Sequence, residues 1–370
     1  MSKSNPRIII SGGGTGGHIF PALSIAGALR EIEPEAEILF VGAEGRMEME
    51  RVPQAGYEIK GLPVAGLQRK LSLANFALPF KILRSILMAK RIIREFKPDV
   101  AVGVGGYASA PLLWSASGMK IPCLIQEQNS YAGLTNRILS KKADKICVAY
   151  DGMEKFFPAE KVILTGNPIR KEIKPPTEAE RREGYDFNGL NPDKKTIFVV
   201  GGSLGSGTLN KAMKKWVAEK SANADYQIIW QNGKYYSSDI AEYMKERELP
   251  NVKHFDFIQR MDLAYAVADV VISRAGAGTI SELCVAGKAT IFVPSPNVTE
   301  DHQTHNAMAL VEKEAALMVQ DSMAEKMLMD TAEKLLADSA HIRKLEKNVL
   351  KLGRKEAADA IAKEVLSLIK

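Results

Sequence analysis

Ser273-Arg274-Ala275-Gly276-Ala277-Gly278-Thr279-Ile280-Ser281-Glu282 is the stretch from which the fold can be read. The apolar run Ala268 to Ile272 leads into it as a buried strand. Leu283, Val285 and Ala286 carry it on as a helix. A glycine turn lies between. The first amides of such a helix have no intrahelical partner and point outward, so this position favours an anion. Small residues let a ligand come close to the backbone. A nucleotide diphosphate fits that description, with Glu282 one turn in and able to accept hydrogen bonds from a ribose diol. Thr279-Ile280-Ser281-Glu282 also fits a capping box, in which Glu282 returns a hydrogen bond to the helix start. On this stretch alone both readings stand.

The surrounding chain has 370 residues, which predicts two domains. Hydrophobic residues make up 46% and charged residues 25%, so a core of ordinary size is expected. The net charge of +6 points to an anionic partner: nucleic acid, anionic lipid or a phosphorylated metabolite. The three cysteines, Cys123, Cys147 and Cys284, lie in apolar contexts without metal-type spacing and read as buried thiols in a reducing compartment. Ile8-Ile9-Ile10 runs straight into glycines, so no secretory leader is expected, and no apolar run is long enough to span a bilayer.

Short apolar runs alternate with helical segments, the pattern of a parallel sheet covered on both faces. Arg7 to Ile10 is the first strand. It opens into Ser11-Gly12-Gly13-Gly14-Thr15-Gly16-Gly17-His18, and a helix is predicted from about Pro21 to Glu31, with proline at a favoured early position. The loop is not the spaced G-x-G-x-x-G fingerprint, and no acidic residue is placed to close the next strand, Ile38 to Gly42, so a nicotinamide enzyme is disfavoured. His18 stands at the carboxyl end of the first strand, where open α/β sheets bind ligands. Capping or packing would also account for it. Further strands are read at Asp99 to Val102, Ile121 to Gln126 and Lys145 to Ala149. The first of these ends in Gly103-Val104-Gly105-Gly106-Tyr107, the second in Gln126-Glu127-Gln128-Asn129.

Helical spacing over residues 71 to 96 puts Ile82, Ile86, Ala89, Ile93 and Phe96 on a core stripe. On the opposite side, Phe80, Leu83 and Leu87 share a face with Arg84, Arg91 and Arg94. Apolar groups ringed by arginine suit the interface of an anionic bilayer, with Trp114 as a companion anchor. A second buried surface, in a domain or oligomer contact, is the alternative.

From Thr165-Gly166-Asn167-Pro168-Ile169-Arg170 the chain turns polar and proline-bearing up to Lys195, and the inter-domain linker is placed there. The strand and helix pattern then restarts, with strands at Thr196 to Val200, Gln227 to Gln231, Val252 to Phe257, Ala268 to Ile272 and Ala289 to Val293. The expected fold is α/β: two doubly wound Rossmann-like domains facing across a cleft. There is no G-x-x-x-x-G-K-S/T loop, no zinc-type Cys/His spacing and no Asp-x-Asp pair to hold a divalent ion. A diphosphate would have to be stabilised by helix amides and by Arg170.

Taken in order, several motifs carry a family resemblance: Gly13-Gly14-Thr15-Gly16-Gly17-His18, Gly103-Val104-Gly105-Gly106-Tyr107, Glu127-Gln128-Asn129 with Ala132-Gly133-Leu134-Thr135-Asn136, Gly166-Asn167-Pro168-Ile169-Arg170, Gly201-Gly202-Ser203, Gly276-Ala277 through Ser281-Glu282, and His302-Gln303 with Asn306-Ala307. The chain closely resembles, over essentially its whole length, the bacterial family 28 glycosyltransferases that add N-acetylglucosamine to undecaprenyl-pyrophosphoryl-muramyl-pentapeptide. The resemblance implies a GT-B fold with an acceptor- and membrane-binding domain at 1–167. It implies a UDP-sugar domain at 168–350, and a last helix, 351–370, that packs back on the first domain. Donor contacts carried over by it are Thr15, Gly16, Gly17, Asn129, Arg170, Ser203, Ile258 (through its backbone), Ala277, Gly278, Thr279, Ile280, Ser281, Glu282 and Gln303. Gly14, Gly105, Gly106 and Tyr107 would face the acceptor's pyrophosphate. His18 is the candidate base and Glu127 the runner-up. No cofactor and no metal are expected. The implied partners are the lipid-linked acceptor, an anionic membrane surface and other proteins of cell-wall synthesis, with no nucleic acid. The implied place is the cytoplasmic face of the inner membrane. The family often has His where Gln126 stands, Gln where Leu204 stands and Ser where Ala275 stands, so no catalytic role is given to Gln126. Two other readings remain. One is a different GT-B enzyme, such as a UDP-N-acetylglucosamine 2-epimerase or a soluble-acceptor transferase. The other is a non-catalytic module that holds lipid intermediates.

Overall fold

The structure, a computed structural model, describes residues 5–64, 78–221, 224–247 and 249–369. The chain divides into two compact units. Unit 1 runs to Ile169 and takes in the chain from Lys355; unit 2 is Arg170–Arg354.

Unit 1 alternates strand and helix: β1 (Arg7–Ser11), α1 (Gly16–Ile32), β2 (Glu37–Ala43), α2 (Glu48–Gln54), β3 (Glu58–Leu62), α3 (Leu78–Phe96), β4 (Val100–Gly103), α4 (Ser109–Gly118), β5 (Cys123–Glu127), α5 (Leu134–Leu139), β6 (Lys145–Val148) and β7 (Val162–Leu164). Its seven strands lie in the order β3-β2-β1-β4-β5-β6-β7, with every pairing parallel. The physical reason is visible in β1. Ile8 and Ile10 pack on one face with Ile25, Ala26 and Leu29 of α1, while Ile9 packs on the other with Ala89 of α3 and Leu112 of α4. A strand buried on both faces is apolar along its middle, which is why Ile8-Ile9-Ile10 reads as a continuous run.

Unit 2 continues with α6 (Glu178–Asn188), β8 (Thr196–Val200), α7 (Gly207–Glu219), β9 (Gln227–Gln231), α8 (Ser237–Met244), β10 (Val252–Phe255), α9 (Met261–Val267), β11 (Val270–Ser273), α10 (Ala277–Ala286), β12 (Thr290–Phe292), α11 (His302–Val311), β13 (Leu317–Met318), α12 (Ala324–Ala337) and α13 (Ser339–Leu350). Its six strands are ordered β10-β9-β8-β11-β12-β13, again parallel. The chain closes with α14 (Ala357–Leu366), which belongs to unit 1. Its Ile361, Ala362 and Val365 join the core beneath α1. Burying side chains of this kind is worth roughly 1.5–3 kcal/mol for each large one.

Three sequence expectations change. The first helix starts at Gly16 rather than near Pro21, so the second half of the glycine loop is its first turn and Pro21 lies inside the helix. The polar stretch read as linker contains α6. A complete capping box starts that helix: Glu180 N–H donates to Thr177 Oγ1, and Thr177 N–H donates to Glu180 Oε2. Gly189, in the left-handed region, ends it. Ile82 is exposed rather than in the core stripe. The buried face of α3 uses Ser85, Ala89, Ile92 and Ile93 instead. The part of the 71 to 96 stretch that precedes residue 78 lies outside the described residues.

Candidate active site

In unit 1, β1, β4 and β5 are neighbours in a parallel sheet, so their carboxyl ends and the loops that follow lie side by side. The first loop delivers His18 on the first turn of α1. Thr15 is the N-cap residue with extended backbone, and its carbonyl accepts from the amides of His18 and Ile19. Gly14, Thr15, Gly16 and Gly17 thus form the loop-to-helix start. His18 Nδ1 lies 3.0 Å from the Gly13 carbonyl oxygen and 3.3 Å from Thr15 Oγ1. A carbonyl only accepts, so this contact puts the ring proton on Nδ1 and leaves Nε2 as the basic nitrogen.

The second loop closes on the first. Gly105 has φ +94°, and a Cβ there would stand 2.7 Å from His18 Cδ2. Gly106 has φ +87°, and a Cβ there would meet the Gly13 carbonyl oxygen at 2.3 Å. Neither position admits a side chain, in conformation or in space. Ser109 Oγ donates to the carbonyls of Ser11 and Gly105, fastening this loop to the end of β1. Tyr107 is exposed beside it.

Glu127 ends β5 and is buried. Its carboxylate accepts from the amides of Asn129 (3.0 Å) and Gly133 (3.1 Å), and from the side chains of Asn136 (2.8 Å) and Asn129 (3.3 Å). Burial raises its pKa, against the pull of these four donors. Gln126, also buried, donates to Asn167 Oδ1 at 2.8 Å and contacts Gln128. Gln128 in turn donates to the Val104 carbonyl at 2.7 Å. Gln126 is therefore part of an interior amide network.

In unit 2, α10 begins at Ala277 with Gly276 as N-cap, and no side chain caps it. The capping-box reading of Thr279 and Glu282 is overturned. Glu282 instead takes a two-pronged ion pair from Arg170, Nε to Oε1 at 2.7 Å and Nη2 to Oε2 at 2.7 Å, and the Tyr265 hydroxyl donates to Oε2 at 3.3 Å. Desolvation works against the charge on Arg170, but the hydrogen bonds and charge of Glu282 outweigh it and raise the pKa. Burial holds the Tyr265 phenol well above its ordinary range. Arg170 and Glu282, which the resemblance assigns to separate parts of a donor, sit on each other here.

In the first turn of α10, Gly278 is exposed and a Cβ there would meet nothing within 4 Å. The Ile280 side chain is in the core, which leaves only its backbone for a ligand. Ser281 Oγ donates back to the Ala277 carbonyl. Ser203 and Leu204, both exposed after β8, accept through their carbonyls from the amides of Lys234 and Tyr235. The Ile258 amide donates to Gln231 Oε1 at 2.9 Å, and Gln231 Nε2 donates to the Gly202 carbonyl at 3.1 Å. Gln231 therefore ties the Ile258 and Ser203 loops together. Gln303 Oε1 accepts from the Ser295 amide at 2.9 Å.

On α3, Phe80, Ile82, Leu83, Arg84, Leu87, Arg91 and Arg94 are all exposed. Arg91 is paired with Glu95 at 2.8 Å. Trp114, on the neighbouring α4, is exposed under Lys142, whose Nζ lies 4.3 Å from the ring centre. With Leu134, Arg137, Ile138, Lys142 and Phe156, Trp114 lines an open cavity of about 720 Å³. Among the described residues no helix is long and apolar enough to cross a membrane. The three cysteines are free and buried.

Glu48, Gln231 and Tyr265 went unnoticed in the sequence. Gln231 read only as the end of a strand, and Tyr265 carries no local motif to mark it. Glu48 follows β2 by five residues and has no local motif to mark it.

Two parallel-sheet units with glycine turns at their carboxyl ends are the plan of the GT-B fold. A solved structure of Acinetobacter baumannii MurG has this arrangement, with TM-score 0.81, 27% identity and coverage of 98% of this chain and 99% of that one. A UDP-N-acetylglucosamine 2-epimerase structure, 15% identical with TM-score 0.62, shares the fold alone. The chain belongs to glycosyltransferase family 28: the family's N-terminal domain matches residues 8–148 and its C-terminal domain residues 196–364. It is 54% identical to the UDP-N-acetylglucosamine–N-acetylmuramyl-(pentapeptide) pyrophosphoryl-undecaprenol N-acetylglucosamine transferase of Parabacteroides distasonis, over 98% of each chain. It is 56% identical to that of Bacteroides thetaiotaomicron, over 98% of this chain and 97% of the other.

Proposed function

We infer that this chain transfers N-acetylglucosamine from UDP-N-acetylglucosamine to undecaprenyl-pyrophosphoryl-N-acetylmuramyl-pentapeptide, converting lipid I to lipid II in peptidoglycan synthesis. The observation that carries this reading is identity above 50% to transferases of that activity along nearly the whole chain. The epimerase reading has only fold-level likeness behind it.

The reaction is a single displacement with inversion. The 4-hydroxyl oxygen of the muramyl sugar attacks the anomeric carbon, the bond to the UDP oxygen breaks, and UDP leaves with the electron pair. The product is a β-1,4 bond. The hydroxyl proton goes to His18 Nε2. The tautomer set by the Gly13 carbonyl supports His18 in this role, and the four hydrogen bonds on Glu127 favour a loop-holding role for the carboxylate. UDP is stabilised by the positive start of α10 and by Arg170. In this reading the Glu282 carboxylate exchanges Arg170 for the ribose diol as the donor arrives. Thr15, Gly16, Gly17, Asn129, Ser203, Ile258, the turn Ala277 to Ser281 and Gln303 complete the donor contacts. Gly14, Gly105, Gly106 and Tyr107 meet the acceptor. Reaction without a divalent ion belongs to the same proposal.

The exposed apolar and basic surface of α3 with Trp114 supports attachment to an anionic bilayer, where the polyprenyl acceptor resides. The enzyme is then peripheral on the cytoplasmic face of the inner membrane, where other cell-wall synthesis proteins are its neighbours.

The test is UDP release from UDP-N-acetylglucosamine in EDTA, with and without a short-chain lipid-linked muramyl-pentapeptide. Release that requires acceptor is expected. Release without acceptor would mean an epimerase or hydrolase, and rescue only by magnesium would overturn metal independence.

A further inference from the structure

Glu48 is the first residue of α2 and is wholly buried. Its two carboxylate oxygens hold two backbone amides: Oε1 accepts from Ala43 at the end of β2 (3.0 Å), and Oε2 accepts from Gly14 in the first glycine loop (2.9 Å). A dinucleotide-binding fold uses an acid near this point to hold a ribose. Here the acid has turned inward beneath the loop.

The Gly14 N–H and the Gly13 C=O belong to one peptide unit. Among the described residues there is no cis peptide bond, so this unit is planar with its N–H and C=O directed oppositely. Glu48 holds the N–H end. His18 Nδ1 is held by the C=O end at 3.0 Å. The unit is also confined from both sides: a Cβ on Gly13 would stand 2.1 Å from Glu48 Oε1, and a Cβ on Gly106 would stand 2.3 Å from the Gly13 carbonyl oxygen.

We propose that Glu48 is a positioning residue for the transfer, orienting and polarising His18 through the Gly13–Gly14 peptide. The negative carboxylate draws on the N–H and makes the carbonyl at the other end a stronger acceptor, as hydrogen bonds in a chain reinforce one another. That carbonyl keeps the proton on Nδ1 and stabilises the imidazolium formed when Nε2 takes the acceptor's hydroxyl proton. Glu48 gains and loses no proton in the step.

The proposal rests on His18 acting as base, and the experiment separates the two. Glu48→Gln, His18→Ala and the double variant are compared in the acceptor-dependent UDP-release assay. Glu48→Gln is nearly isosteric but can accept only one of the two amides and turns an NH₂ group on the other. Its kcat is expected to fall roughly tenfold to a hundredfold, as for a small misplacement of a reacting group, with KM for UDP-N-acetylglucosamine changed by less than about twofold. In the His18→Ala background the same change is expected to cost no further rate, because the partner through which it acts is gone. Equal loss in both backgrounds would overturn the proposal, and so would full activity in His18→Ala. Absence of acceptor-dependent release in the wild type would overturn the transfer reading instead. A second measurement does not depend on turnover. Imidazole ¹⁵N spectra of the folded protein, with His18 assigned from the His18→Ala variant, are expected to show the Nδ1–H form in the wild type and a mixture of tautomers in Glu48→Gln. An unchanged tautomer would contradict the relay.

Discussion

In unit 1 the buried carboxylates of Glu48 and Glu127 hold backbone amides and asparagine side chains, whereas in unit 2 the Glu282 carboxylate holds a guanidinium. Backbone N–H groups cannot leave such a partner unless the loop itself rearranges. An arginine side chain can leave by rotating, and its charge keeps a use elsewhere. The acids of unit 1 are thus fixed parts of the loops they brace, and the acid of unit 2 has a partner that a ligand can replace. The comparison predicts that lesions in the acids of unit 1 and in the loops they brace at His18 act on rate and loop order, and that lesions in the Glu282–Arg170 pair of unit 2 act on donor affinity.

The largest effect is expected at the residue that the unit 1 loops present. His18→Ala should lower kcat by about 10²–10⁴, the usual contribution of a positioned general base, with donor KM little changed. Activity near wild type, measured as acceptor-dependent UDP release, would remove His18 from that role. Next comes the exchangeable pair. Glu282→Gln and Arg170→Lys each destroy the two-pronged geometry, and donor KM should rise by roughly tenfold or more, since such pairs are the strong ones. Calorimetric UDP binding checks this directly. Affinity unchanged in both variants would end the idea that the pair opens to admit the donor.

Glu127→Gln tests the fixed side of the comparison. An amide offers NH₂ to donors that need an acceptor, which should cost about 1–3 kcal/mol of stability. It should also change how stability depends on pH. Burial raises the Glu127 pKa above its ordinary value of 4.5, so the folded state holds this proton more firmly than the unfolded chain. The stability this contributes is fully present below about 4.5 and is lost as pH rises through the folded pKa. Thermal melting against pH should therefore show a slope above the ordinary carboxylate range that Glu127→Gln lacks. The smallest effects belong to the surface away from both sets of acids. Arg84→Gln or Arg94→Gln should weaken binding to anionic vesicles by about fivefold each, near 1 kcal/mol, and Leu83→Ser by somewhat more. Flotation that is insensitive to all three would argue for a protein contact on this face of α3.

Much of the scaffold was legible because the middle of a parallel strand buried on both faces is apolar, as in Ile8-Ile9-Ile10, Leu39-Phe40-Val41, Ile197-Phe198-Val199-Val200 and Ile228-Ile229-Trp230. The glycine loops were legible because the backbone must pass close to its neighbours there. What was missed has physical reasons. β7 and β13 are edge strands of three and two residues, too short to form a pattern. Thr177-x-x-Glu180 and Thr279-x-x-Glu282 carry the same local signature, yet only the first forms a capping box. The second lost its glutamate to Arg170, which is 112 residues away. The Glu48 contact with Gly14 spans 34 residues and leaves no local trace.

The sequence by itself determined the α/β class and the repeated strand–turn–helix plan, because these rest on local periodicity, and its ordered motifs carried the resemblance that implied the family and the activity. The tertiary structure alone decided which oxygen meets which hydrogen: Glu48 under the glycine loop, Glu127 within its ring of donors, Arg170 on Glu282, Gln231 between two loops. Such pairings are set when separate strands come into register, and charge or polarity at a single position does not specify the partner that burial will bring to it.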